Sequence, residues 1–252
     1  MVSQKSWRAN TQKEREPSMK KHGTVPRKQD TTRQAMEFGA ALLKQAPHLA
    51  SEEMQYWIKN QGDLQEALAK ALGIPDPRRE WERFCQEVFG ISVDFSSLVL
   101  PEKRDGFNWL IVMPQGMTAN RLFDKCKERF AAWRYTEDLD TTKSVRTAEK
   151  ATAIWVRDRI EADEENKKKS ANVCKAEGIN GITLEERLLL ELFYHWRTGK
   201  HLDIQNVTLC SGSRNPHGGV PDVSWAVGKL DVGSCNPGHD SEDLRARAAV
   251  ST

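Results

Sequence analysis

The sequence predicts an α+β fold. Three observations carry this. Apolar residues recur at helical spacing in 35–73 and 183–198. Continuous apolar runs of strand length stand at 107–114 and 152–158. Bulky apolar and small or polar residues alternate in 220–233. The strand–helix–strand order with short loops in 107–158 suggests an α+β domain.

A chain of 252 residues holds one large domain or two small ones. Its hydrophobic fraction of 38% is low, yet eight Trp supply bulk for a core. Lys and Arg number 38 against 36 Asp and Glu, a balance of +2 that gives no argument for a nucleic-acid or membrane partner. No apolar stretch is long enough to span a bilayer, and the first residues show no apolar signal region. The default expectation is therefore a cytoplasmic protein. The five Cys (Cys85, Cys126, Cys174, Cys210, Cys235) are far apart and form no C-x-x-C pair, so free thiols are expected rather than a zinc site.

Residues 1–34 are polar and basic and read as a disordered tail. The alternative is a basic arm touching nucleic acid, which no other segment supports. Residues 35–77 read as a helical unit. Met36, Ala40 and Leu43 have helical spacing before a break at Pro47. Ser51 is the expected N-cap of the next helix, with Met54, Trp57, Ile58, Leu64, Leu68 and Leu72 as its stripe and Gly73 as its end. The unit could also serve as a partner-binding helix pair.

Residues 78–252 form the main expected domain. "REWERFCQEVFG" is an amphipathic helix closed by Gly90, and "FNWLIVMP" is a buried strand. "TANRLFDKCKERFAAW" is a helix over 118–133 capped by Thr118, and "TAIWVRD" is a second buried strand. "GITLEERLLLELFYHWRTGKHLD" carries the clearest helix. Thr183 and Glu186 make a capping box, Leu184, Leu188, Leu189, Leu192, Phe193 and Trp196 form a wide apolar face, and Gly199 ends it.

From Asn206 onward short strands and turns are expected. "VPDVSW" sends Val223 and Trp225 to one side and Asp222 and Ser224 to the other. "KLDVG" does the same with Leu230 and Val232 against Asp231 and Gly233, and a turn at Gly228 joins the two into a hairpin. The open positions hold small and short polar residues instead of the Lys, Glu, Gln and Thr of an ordinary solvated strand.

Catalytic readings are weaker. His195, His201, His217 and His239 with Asp203 and Asp240 lack metal-ligand spacing. Cys210 or Cys235 with His201 or His239 lacks an orienting third group. "SGSR" before Arg214 is not a phosphate loop. Arg245 and Arg247 are expected on one side of a strand, paired with acidic groups such as Asp243.

The frame of the C-terminal segment resembles a known family. "LCSGSR", V-P-x-V-x-W at 220–225, G-x-L-x-V at 228–232, Pro237 and S-x-x-L-R-x-R-x-x-V-S at 241–251 resemble target proteins of diversity-generating retroelements. "FNWLIVMPQGMT", "AIWVRD", "ITLEERLLLEL" and "TGKHLD" resemble the same group. The resemblance implies a C-type lectin-like fold over 78–252 and a variable region at about 210–247. In that family a reverse transcriptase copies a template with errors at adenines, and the copy replaces the 3′ end of the gene.

The implied function is binding of a protein or small-molecule ligand through a diversified surface, with no catalysis and no cofactor. The implied ligand-binding positions are Asn215, His217, Gly219, Asp222, Ser224, Ala226, Val227, Asp231, Gly233, Cys235, Asn236, Gly238, His239 and Asp240. Errors at asparagine codons never yield Lys, Glu, Gln, Met or Trp, and none of these positions holds one. Ser234 departs from the family frame, where an aromatic is expected. The alternatives are a non-diversified interaction or structural domain, and a small Cys- or His-dependent enzyme.

Overall fold

The computed structural model describes residues 28–45, 47–73 and 76–252; of the tail expected at 1–34, residues 1–27 lie outside them. The chain divides into two units, Met1–Glu66 and Ala67–Thr252.

The described residues of the first unit are mostly helical. Helix α1 (Lys28–Gln45) starts ahead of the expected position 35 and takes in the last residues of the expected tail. Helix α2 (Ser51–Lys59) is capped by Ala50, not Ser51: the Ala50 N–H donates to the Glu53 carboxylate at 2.8 Å. Helix α3 (Gln61–Ala71) crosses into the second unit. The single helix expected after Ser51 is interrupted at Asn60, whose backbone N–H and side-chain amide both donate to the Tyr56 carbonyl. The expected apolar stripe is not buried: α2 contains no buried residue, and Met36, Leu43, Met54, Ile58, Leu68 and Leu72 are exposed.

In the second unit Asp76 caps α4 (Pro77–Phe84) by accepting the Arg78 N–H at 2.9 Å, with Pro77 where a helix tolerates it. The helix runs on through a wider π turn at Cys85–Phe89 and stops at Gly90. Strand β1 (Trp109–Met113) and α5 (Ala119–Arg129) follow. Helix α5 ends earlier than the expected 133, because Phe130 is fully extended and the chain enters strand β2 (Ala132–Arg134). Next come β3 (Lys143–Ser144), β4 (Thr152–Val156), α6 (Ala171–Ala176) and α7 (Leu184–Thr198). The chain closes with β5 (Val207–Leu209), β6 (Ser213–Arg214), β7 (Val220–Ala226), β8 (Lys229–Cys235), β9 (Leu244–Ala246) and β10 (Ala249–Val250).

Among the described residues the strands form three sheets, ordered β1-β4-β10, β2-β8-β7-β5-β9 and β3-β6. The last strand thus returns to pair with β4, which also pairs with β1. One large core joins α4, β1, α5, β4 and α7 to the inner face of β7 and β8. Trp81 of α4 lies flat on Phe193 of α7, with ring centroids 4.0 Å apart.

Helix α7 is the centre of the unit. Its capping box forms as the sequence indicates: Thr183 Oγ1 accepts the Glu186 N–H at 3.2 Å, and the Glu186 carboxylate accepts the Thr183 N–H at 2.8 Å. The helix is buried around most of its surface, and it takes Arg187 and Glu191 inside. Arg187 meets Glu191 at 2.8 Å and Asp203 at 2.9 Å, all fully buried. Asp203 also accepts from Arg247 at 3.1 Å and from Thr208 at 2.5 Å.

Arg245 turns to Glu164 at 2.6 Å. The expected Asp243 is therefore the partner of neither arginine among the described residues.

Removing one partner of a buried ion pair leaves an uncompensated charge. Asp203→Ala is expected to lower the unfolding free energy by about 3–5 kcal/mol, and Thr183→Ala by about 1 kcal/mol. Urea unfolding checks both; similar small losses would place Asp203 outside the framework.

Candidate ligand-binding face

The expected hairpin forms, with Asp222 opposite Gly233, Val223 opposite Val232, Ser224 opposite Asp231 and Trp225 opposite Leu230. The period-two rule then separates the faces. Val223, Leu230 and Val232 are fully buried in the main core. Trp225 is only half-buried, at the core margin. His201 lies flat against its ring, with centroids 3.2 Å apart, and Phe130 meets it edge-on at 5.7 Å. His201 is itself held by Glu191 at 2.8 Å.

The other face is open over only part of its length. Val220 shares the side of Asp222 and is buried against Ala171, Leu209 and Leu244, with Cys235 packed on the same small cluster. Beyond Asp222 the face opens toward the tip, and Asp222, Ser224, Ala226, Asp231 and Gly233 are partly exposed.

None of the positions singled out from the sequence is in the core: His217, Val227, Asn236, Gly238, His239 and Asp240 are exposed and the others are partly exposed. They fall into separate groups. Asp222, Ser224, Ala226, Asp231, Gly233 and Cys235 share the hairpin face. Val227 stands at the tip. Asn236, Gly238, His239 and Asp240 form the turn after β8, where the Asn236 side chain accepts the Gly238 N–H and its carbonyl accepts the His239 N–H, both at 2.9 Å.

Asn215, His217 and Gly219 make a further turn built on Asn215, whose side-chain oxygen accepts the N–H groups of His217 at 3.0 Å and Gly219 at 2.8 Å. The Asn215 amide donates to Ser234 Oγ at 2.9 Å. Ser234 shares the parity of Val232, not of Gly233, so this turn sits toward the opposite side of the hairpin. At about 3.3 Å per residue the seven-residue strands separate tip from base by roughly 20 Å.

The tip carries a strained residue. Val227 and Gly228 both have positive φ, 50° and 74°, as a two-residue type I′ turn requires. Gly accepts this freely, whereas a β-branched residue there is an outlier, and Val227 is 99% exposed with nothing to hold it. Asn is the residue such a turn prefers at this place.

Within the face, side chains are coupled. A Cβ added at Gly233 would lie 2.5 Å from Asp222 Oδ1, so the two positions share one space. Burial pushes the Asp222 carboxyl up to about 6, and the Asp231 charge adds to this, while a hydrogen bond from the Cys235 thiol opposes it. Cys235 is pushed up to about 12, first by burial and then by the Asp222 carboxylate beside it. Cys210 is fully buried and raised well above the ordinary thiol range by that burial. Among the described residues no three His, Cys, Asp or Glu side chains are placed to hold a metal ion, and no helix is long and apolar enough to cross a membrane.

Two residues on this face were not read from the sequence. Trp133 of β2 is the register partner of Asp231 and shares its side of the sheet; it is 48% exposed. Extending α5 through 133 concealed it. Lys229 was not singled out either, and its ammonium lies 5.3 Å from the Trp133 ring centroid.

Comparison of the chain with family models, with curated proteins and with solved structures gave no match.

Two tests follow from the geometry. Val227→Asn relieves the left-handed strain and is expected to stabilise by about 1 kcal/mol, seen as a higher melting temperature; a lower one would mean that Val227 contributes packing. Asp222 binds more protons folded than unfolded between the ordinary carboxylate range and about pH 6, so its contribution to stability falls as pH rises through that window. Asp222→Asn is expected to melt higher than the wild type at neutral pH, with the gap closing in acid. A gap independent of pH would contradict the account.

Proposed function

We propose that the C-terminal unit is a ligand-binding scaffold of C-type lectin-like fold whose surface at 210–247 is diversified by a retroelement. The observation that carries this reading is the division of the hairpin. Of the apolar residues matching the family frame on β7 and β8, Val220, Val223, Leu230 and Val232 are fully buried and Trp225 is half-buried, while every position implied to vary lies outside the core. Helices α5 and α7, a sheet joining β1 and β4 to the last strand and a second sheet bearing the hairpin support the fold assignment.

Val227 adds support of a different kind. An Asn-Gly pair suits this turn, and valine is reachable from an asparagine codon by changes at its two adenines. A strained valine at an exposed tip is hard to account for by folding alone. Exposed substitutions elsewhere on the face cost little, within about ±0.5 kcal/mol, so such a surface can be altered without losing the fold. The thiols also fit binding better than catalysis, since burial keeps Cys210 and Cys235 protonated.

A second reading has an observation in its favour. Asp222, Gly233 and Cys235 constrain one another through the close approach at Gly233 and the thiol–carboxylate contact. Mutual fit of this sort is what an ordinary, non-diversified interaction domain would show.

The genomic locus separates the two. Diversification predicts a reverse transcriptase gene and a near-repeat of the segment coding for 210–247, with asparagine codons at the implied positions. Deep sequencing of the natural population should show changes confined to those codons. A locus without such a repeat, or substitutions spread evenly over 210–247, would favour the ordinary interaction domain.

A further inference from the structure

The uncovered part of the hairpin face has a chemical bias. Trp133, Asp231 and Ser224 stand side by side across β2, β8 and β7: Trp133 is the register partner of Asp231, and Asp231 of Ser224. Neighbouring strands lie about 4.8 Å apart, so these side chains adjoin on one face.

Trp133 presents an exposed ring on an edge strand, where an isolated chain gains nothing from a large aromatic in water. Asp231 forms no ion pair among the described residues, and its Oδ1 is shielded from solvent with no hydrogen-bond partner among them. A shielded acceptor without a donor is costly, and a charge-assisted donor that reaches the carboxylate through its other oxygen would lower that cost. Lys229 already places a cation over the Trp133 ring, at 5.3 Å from its centroid, which shows that this surface holds positive charge. A guanidinium stacking on this ring would take the place of the Lys229 ammonium.

We infer that Trp133, Asp231 and Ser224 form a subsite for the guanidinium group of an arginine presented by a protein partner. This rests on the hairpin face being a binding surface. A guanidinium is planar and stacks on an indole while its N–H groups reach a carboxylate edge-on. It would lie along Trp133 and donate to Asp231, and Ser224 Oγ would accept a further N–H. An ammonium is a compact, strongly hydrated point charge and cannot make both contacts so well, so arginine is preferred over lysine. Trp133 lies outside 210–247, and so serves as a constant anchor beside positions that set the preference of this particular chain.

The test is an NMR titration of the full chain with the peptide acetyl-Gly-Gly-Arg-Gly-Gly-amide, set against its lysine and citrulline counterparts. The Trp133 indole N–H, assigned through Trp133→Phe, and the Asp231 and Gly233 amides are followed. Saturable shifts are expected with the arginine peptide, weaker by about tenfold with citrulline and intermediate with lysine. Asp231→Asn, which should melt like the wild type, is expected to weaken the arginine peptide by about tenfold while leaving citrulline unchanged. No movement at millimolar peptide, equal shifts with citrulline, or full binding by Asp231→Asn would overturn the subsite. Arginine binding through Asp231 at a locus with no template repeat would remove diversification and keep the subsite. A template repeat with no arginine binding would do the reverse.

Discussion

Asp203 ties the second unit together. Its carboxylate receives Arg187 from α7, Arg247 from the chain between β9 and β10, and Thr208 from β5. Its carbonyl accepts the Trp225 N–H from β7 at 2.9 Å, and its own N–H donates to Ile160 at 3.1 Å. Its φ of 52° is a left-handed conformation that aspartate tolerates better than most side chains. Burial works against the charge on Arg187, but Asp203 and Glu191 outweigh it and raise its pKa. Two arginines and two carboxylates, all fully buried, make a balanced cluster. Such a cluster adds little net stability over an apolar equivalent, because desolvation offsets the attraction. What it supplies is direction: helix, hairpin and C-terminal strand meet at one point and in one orientation.

That constraint explains why the hairpin can present a varied outer face. The inner side is held twice, by Val223, Leu230 and Val232 in the core and by the backbone bond from Trp225 to Asp203. His201 extends the hold by lying between Glu191 and the Trp225 ring. None of these contacts uses a side chain that points outward from β7 or β8. The base of the hairpin is different: Val220 and Cys235 pack with Ala171 of α6 and Leu244 of β9, and Asp222 beside Cys235 is partly desolvated. Freedom on this face therefore increases from the base toward the tip.

Much of the fold was legible where one rule acts alone. The Thr183–Glu186 box, the buried runs at β1 and β4 and the alternation of β7 and β8 depend on local spacing, and each element appears where that spacing puts it. The misreadings occur where the deciding partner is distant. Trp133 follows a helical stretch without a break residue, and only pairing of β2 with β8 turns it onto the sheet. Arg245 and Arg247 sit near Asp243 in sequence, yet their partners Glu164 and Asp203 come from other loops. Trp225 reads as a core anchor by parity, but the sheet margin leaves it half-covered. The apolar stripe of α2 and α3 has the period of a buried face and remains exposed, because periodicity states that a face is apolar, not what meets it.

The separation of a rigid inner side from an exchangeable outer side is the central claim, and a saturation scan of 220–240 with folding read by protease resistance tests it most directly. The account predicts that Val223, Leu230 and Val232 reject polar substitutions. Ser224, Ala226, Val227 and Asp231 should accept nearly all, and Asp222 and Gly233 should accept large residues only one at a time. Uniform tolerance along both strands, or rejection at Ser224 and Asp231 as strong as at Val223, would contradict it.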